Sequence, residues 1–210
     1  MEAADLAALR RELRAVAEPG DAPAMAAYMQ HHFEFLGVKT PARRAASKPF
    51  IAAQKSASGD ELITAASALW QQPEREFHYV ATDLLSKWQH NLDAEHLPHV
   101  RRLITTNAWW DSVDALAAHV VGPLVLRHPS LVGDMDDWID DSDIWLARSA
   151  ILHQLTYRTA TDASRLFDFC SRRAADKYVD AGRVRINDVV AVHGDTVKEG
   201  DRVTLDGKRV

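Results

Sequence analysis

One cysteine in 210 residues, Cys170, leaves no partner for an intrachain disulfide and no cysteine set for a structural zinc. Long apolar runs are missing too. Nothing approaches the ~20 residues of a transmembrane helix. The opening stretch MEAADLAALRREL is amphipathic without the apolar block of a secretory signal, so a cytoplasmic chain without a membrane partner is expected. No glycine-rich phosphate loop and no Ser/His/Asp set is visible. His96 and His99 in HLPH come nearest to paired metal ligands, but Pro98 interrupts the helical spacing and no third ligand is evident, so no metal is expected. A net charge of −5 also argues against a uniformly basic nucleic-acid binder.

The average hides an uneven distribution. Residues 1–170 hold 16 Lys and Arg against 23 Asp and Glu, whereas residues 171–210 hold 9 against 7, a change from −7 to +2. Within the acidic part, KTPARRAASK gathers Lys39, Arg43, Arg44 and Lys48, behind Thr40 and Pro41 as N-cap and first-turn proline. These cations can meet phosphate or form a solvated helix face. Composition is otherwise that of an ordinary globular chain, 47% hydrophobic and 26% charged.

Apolar residues recur at three- and four-residue steps in 5–17, 23–36, 42–54, 60–70, 74–90, 95–106, 109–126, 143–156 and 161–180, which predicts helices. EREFHYVATDLLSKW, NAWWDSVDALAAHVVGPLV and DIWLARSAILHQLTYR each open polar, carry early aromatics and then run apolar. They start some 32 to 36 residues apart, a period that suits stacked helix pairs of the HEAT type. Beyond residue 181 the period falls to two: GRVRIND and DRVTLDGKRV read as short strands bounded by Gly182, Gly194, Gly200 and Gly207. The predicted class is therefore mainly α, a superhelix of HEAT-like repeats over residues 1–170, followed by a small α+β module over 171–210.

The segment NAWWDSVDAL raises the chemical question. Residues four apart share a helix face, so Trp110 and Asp114 stand one above the other, with Trp109 elsewhere. Asn107 or Asp111 can begin the helix and both indoles can be core, so a purely structural reading stays open here. Trp70, Trp88, Trp138 and Trp145 read as core, His31 and His32 as surface or groove, and Glu76 and Asp83 as a solvated face.

Residues 5 to about 177 resemble the AlkD-like family of DNA alkylation repair glycosylases, in the order and spacing of YMQHHFEFLGVKTPARR, REFHYVATDLLSKW, NAWWDSVDALAAHVVGPLV and DIWLARSAILHQL. The resemblance implies a helical superhelix holding duplex DNA in a basic cleft. It also implies hydrolysis of the N-glycosidic bond of cationic N3- or N7-alkylpurines without base flipping, and neither metal nor organic cofactor. Trp110 and Asp114 then match the catalytic tryptophan and aspartate, Arg148 the DNA-contacting arginine, and Tyr28 an aromatic of the lesion-facing cleft; Lys39, Arg43 and Arg44 are further DNA-binding candidates. An alkylated purine is already cationic and leaves readily, so the costly part is oxocarbenium character on the sugar. A fixed carboxylate stabilises that charge and orients water, and an indole beside it excludes bulk solvent.

SRRAADKYVDAGRVRINDVVAVHGDTVKEGDRVTLDGKRV resembles a second family, the αL RNA-binding module of a ribosomal small-subunit protein and of many pseudouridine synthases. By that resemblance Arg172, Arg173, Lys177, Arg183 and Arg185 contact RNA phosphates. This module stands where the glycosylase family has its last helices. Two functions follow as expectations for a monomeric chain: a glycosylase acting on alkylated duplex DNA, with structured RNA as a second partner of the tail, or a catalytically silent repeat scaffold or RNA-binding adaptor.

Overall fold

A computed structural model describes residues 3–192, 195, 197, 198 and 200–209; Gly194, expected to bound a strand, lies outside them. The chain is mainly helical with a small C-terminal antiparallel sheet and divides into two compact units, Met1–Thr159 and Ala160–Val210. The division places the whole helix Ala163–Asp180 in the second unit.

In the first unit the helices are α1 (Ala3–Ala15), α2 (Ala22–Tyr28), α3 (Thr40–Ala53), α4 (Gly59–Trp70), α5 (Arg75–Lys87) and α6 (Leu97–Thr105). Then α7 (Trp110–Leu116) runs through a wide π-helical turn, Ala117–Val121, into α8 (Gly122–Arg127), followed by α9 (Val132–Ile139) and α10 (Ile144–Leu152). Among the described residues no single helix is long and apolar enough to cross a membrane.

The repeat is visible in its bonds. Trp70 Nε1 donates to the Thr106 carbonyl, Trp88 Nε1 to that of Ile51, and the Tyr157 hydroxyl to that of Gly122. Arg75 reaches Asp111, and Arg148 reaches Asp114. Each of these joins residues 34–37 apart. One offset serves them all because each helix pair stacks on the next in the same register, burying Leu62, Leu84, Val100, Leu116 and Leu146 completely. Backbones approach closely where side chains are absent: a Cβ on Gly122 would lie 2.1 Å from the His153 carbonyl oxygen.

Four local expectations change. The 23–36 helix ends at Tyr28, because Gln30 and His31 turn left-handed (φ 53° and 59°) and donate back to Ala27 and Ala26. Phe33 and Val38 lie in the non-helical segment that follows, and a helical period does not distinguish that case. Helix α3 begins one residue early, with Lys39 as its uncapped N-cap. Helix α9 falls in the gap left between the 109–126 and 143–156 periods, with Pro129 just before it and Gly133 in its first turn; Met135, Trp138 and Ile139 bury its inner face. Glu76 is no solvated acid. Fully buried, it accepts the backbone N–H groups of Leu36, Gly37 and Val38, each at 3.0 Å, and so replaces a sheet ladder for that segment. Gly37 has φ 88° and no room for a Cβ beside the Glu18 carbonyl.

The second unit comprises α11 (Ala163–Asp180) and strands β1 (Val184–Ile186), β2 (Val189–Val190), β3 (Val203–Leu205) and β4 (Lys208–Arg209), paired antiparallel in the order β2-β1-β3-β4. Both hairpins turn through two residues of positive φ, Asn187–Asp188 and Asp206–Gly207, the geometry that matches strand twist.

Candidate functional site

The start of α7 is set from below by Arg75, at the first position of α5 and fully buried. Its guanidinium grips Asp111 through both carboxylate oxygens, at 3.1 and 2.5 Å, and donates to the Asn107 carbonyl (2.7 Å) and the Ser112 hydroxyl (2.7 Å). It also lies 3.8 Å from the centre of the Phe33 ring. Tyr79 adds a hydroxyl donated to Asp111 at 2.6 Å; burial, then that bond, push its phenol well above the usual range. A planar, five-donor cation is what a buried helix start needs, because it satisfies carbonyl, hydroxyl and carboxylate together. Trp109, Trp110 and Asp114 inherit their positions from this anchor.

His78 completes the underside. Its Nδ1 accepts from Arg75 at 3.1 Å, so its Nε2 carries the proton donated to the Gln72 carbonyl at 2.9 Å. Burial, then the Arg75 charge, pull its pKa from 6.5 to about 4. The folded protein thus holds a neutral imidazole where the unfolded chain binds a proton below pH 6.5, so the stability His78 contributes is present above 6.5 and lost as pH falls toward 4. The loss is at most about 3 kcal/mol. In denaturant titrations across this window, His78→Gln is expected to flatten the profile relative to the native chain; parallel profiles would show that His78 does not titrate this way.

Above the anchor, Trp110 is 39% exposed and meets the Tyr28 ring edge-on at 6.1 Å. Both line a cavity of about 610 Å³ with Met25, Phe35, Lys39, Arg43, Arg44, Tyr79 and Asp111. Trp109 turns the other way, 4.3 Å from His32 and 5.7 Å from Trp145 between ring centres. One turn after Trp110, Asp114 is held by Arg148 of α10 through two bonds of 2.5 and 2.7 Å. Both side chains remain partly open, and the Asp114 bond raises the Arg148 pKa further. The structure thus pairs Trp110 with Tyr28 and Asp114 with Arg148, and the carboxylate's bonded partner is Arg148, not the indole one turn before it.

The cations of KTPARRAASK separate. Lys39 is exposed and pairs with Asp21 at 2.7 Å; Arg44 is exposed with Asp83 at 3.5 Å. Arg43 is buried over the Tyr79 ring and pairs with Asp83 at 3.1 Å, so it forms cavity wall and not an outward arm. Asp83 is the half-buried hub of these pairs. His96 is buried against Gly59 and bonded within its own turn by the Asp93 N–H, while His99 is exposed. Trp70 and Trp138 are core; Trp88 and Trp145 are half-buried. In the second unit Arg172 pairs with Asp168 at 3.1 Å, Arg183 grips Asp206, and Arg185 donates to the Asp188 carbonyl at 2.8 Å. Lys177 is exposed and Arg173 half-buried on the same helix.

Sequence reasoning missed Arg75, Tyr79 and Glu76 as site supports. The usable signal was the repeat offset, which sets Arg75 one period before Asp111.

Residues 9–180 match the family model for the DNA alkylation repair enzyme. Among solved structures, the chain is similar to one described as a predicted DNA alkylation repair enzyme from Enterococcus faecalis, with 29% identity and a TM-score of 0.68 over 74% of this chain and 73% of that one. No curated protein matches it. With its helical repeat stack and a family match running from α1 through α11, this chain belongs to the DNA alkylation repair enzyme family.

Proposed function

We propose that this family member is a DNA glycosylase that hydrolyses the N-glycosidic bond of cationic N3- or N7-alkylpurines in duplex DNA. The observation that carries the reading is the pairing of an exposed tryptophan, Trp110, with a carboxylate one turn on, Asp114, held in one orientation by Arg148. As the C1′–N9 bond breaks, its electrons neutralise the purine and positive charge develops on the sugar. Arg148 engages two of the carboxylate's four lone-pair sites, which leaves the others to face that charge and to accept a proton from the attacking water. Trp110 and Tyr28 offer aromatic surface to the sugar and exclude bulk solvent. Release of 7-methylguanine from methylated duplex DNA by the intact chain is the test.

Arg148 has two duties in this reading: orienting Asp114 and meeting a backbone phosphate. Arg148→Ala is therefore expected to weaken binding to every duplex sequence alike and to reduce the log-log salt slope by about one unit. Its cost in stability should be small, because a half-exposed pair contributes about 1 kcal/mol or less. A lowered melting temperature with an unchanged salt slope would assign Arg148 a packing role instead.

The second unit supplies contact to structured RNA through Arg172, Arg173, Lys177, Arg183 and Arg185. Support comes from a helix leading into an antiparallel sheet, with exposed Lys177 on the helix and exposed Arg185 on β1. Lys177→Glu with Arg185→Glu is expected to weaken RNA binding about tenfold or more at low salt; unchanged affinity would remove these residues from any RNA surface.

A further inference from the structure

A second cavity lies outside the Trp110 site. It has about 430 Å³ and opens between α3 and the end of α5. Its floor is apolar, formed by Ile51, Ala52 and the Trp88 ring, and that ring is fixed by the indole N–H donated to the Ile51 carbonyl at 2.7 Å. Around it stand Lys48, Lys55 and Lys87, all exposed, with Arg44. The one carboxylate on its wall, Asp83, is already engaged by Arg43 and Arg44. Ser47 also lines the cavity. It is fully buried, and its hydroxyl has no hydrogen-bond partner. A buried hydroxyl without a partner is costly, and one lining a cavity marks a place where a ligand can complete a bond.

These features specify a ligand with three parts: an anion for the rim, a flat apolar body for the floor and a hydrogen-bonding edge for Ser47. Inorganic phosphate has only the first. We propose that this cavity binds a single nucleoside monophosphate unit, with the base against Trp88 and Ser47 and the phosphate among Lys48, Lys55 and Lys87. The volume suits a ligand of that size. Arg44 lines both this cavity and the one at Trp110, so the two share one wall residue. The unit comes either from a free nucleotide or from an unpaired strand end. No part of the proposal depends on base excision.

Calorimetric titration of the full chain with dAMP, deoxyadenosine and inorganic phosphate tests it. We expect dAMP to bind at least about tenfold more tightly than either fragment, because ring and phosphate are recognised together. Ser47→Ala is expected to weaken dAMP by about fivefold, and Lys87→Ala by about tenfold. Ala suits a helix interior, so Ser47→Ala should fold; Ala52→Trp, placed on an exposed position of α3, fills the cavity without touching the core and should abolish binding. Equal binding of dAMP and phosphate, no dAMP binding at all, or full dAMP affinity in both Ser47→Ala and Ala52→Trp would overturn the assignment. If a duplex with one unpaired 5′-phosphorylated nucleotide displaces dAMP from the native chain, the strand end is the source; if it does not, the free nucleotide is.

Discussion

Asp114→Asn is expected to lower the single-turnover rate of base release by at least about 100-fold while leaving the fold intact and duplex affinity within a few fold. The rate effect follows from removing a fixed negative charge opposite a developing oxocarbenium, and loss of one preorganised oxyanion donor gives the scale of about 10²–10³. Stability should hardly change, because Asp114 and Arg148 are both partly open to solvent and such a pair contributes about 1 kcal/mol or less. Affinity should rise slightly: the substitution deletes a charge that repels phosphate and releases Arg148 from a bidentate grip. Stopped assays with enzyme in excess, beside fluorescence-anisotropy titrations, separate the two effects. An undiminished rate would remove Asp114 from the mechanism, and a rate lost together with affinity would make it a binding residue.

The largest effect on stability is expected at Arg75. Arg75→Met keeps length and volume but strands the Asp111 carboxylate, only 6% exposed, together with the Asn107 carbonyl and the Ser112 hydroxyl. Removing one partner of a buried ion pair costs about 3–5 kcal/mol. For a chain of this size that corresponds to a fall of about 10 °C in melting temperature. Replacing both partners, Arg75→Met with Asp111→Leu, should recover most of the loss, since the uncompensated charge is then gone. Denaturant unfolding of the two variants checks this. Equal destabilisation of single and double variants would mean that Arg75 acts through packing against Phe33 and not through Asp111.

Legibility differed by kind of information. Helix periodicity and the 32–36-residue spacing placed α4, α5, α7 and α10 and put Trp110 and Asp114 on one face, because those features are written into neighbouring residues. The strands of the second unit were readable for the same reason. The Asp114–Arg148 pair was not, although both residues were singled out, because their meeting depends on the register of one repeat on the next. Glu76 and Arg75 were hidden by a different cause. A charged residue on a helix usually faces water, and only the folded backbone shows three N–H groups aimed at one carboxylate, or a carbonyl, a hydroxyl and a carboxylate converging on one guanidinium. The early end of α2 was hidden because Gln30 and His31 adopt left-handed backbone without glycine.

The most direct measurement is a single-turnover incubation of the intact chain with duplex DNA carrying 7-methylguanine, scored for free base and for abasic sites in the same sample. Free 7-methylguanine and abasic sites are expected in equal amounts, and both are expected to fall together in Asp114→Asn. Tight binding of the methylated duplex with no base released above the spontaneous rate would contradict this expectation and leave a repeat scaffold that holds DNA without cutting the glycosidic bond.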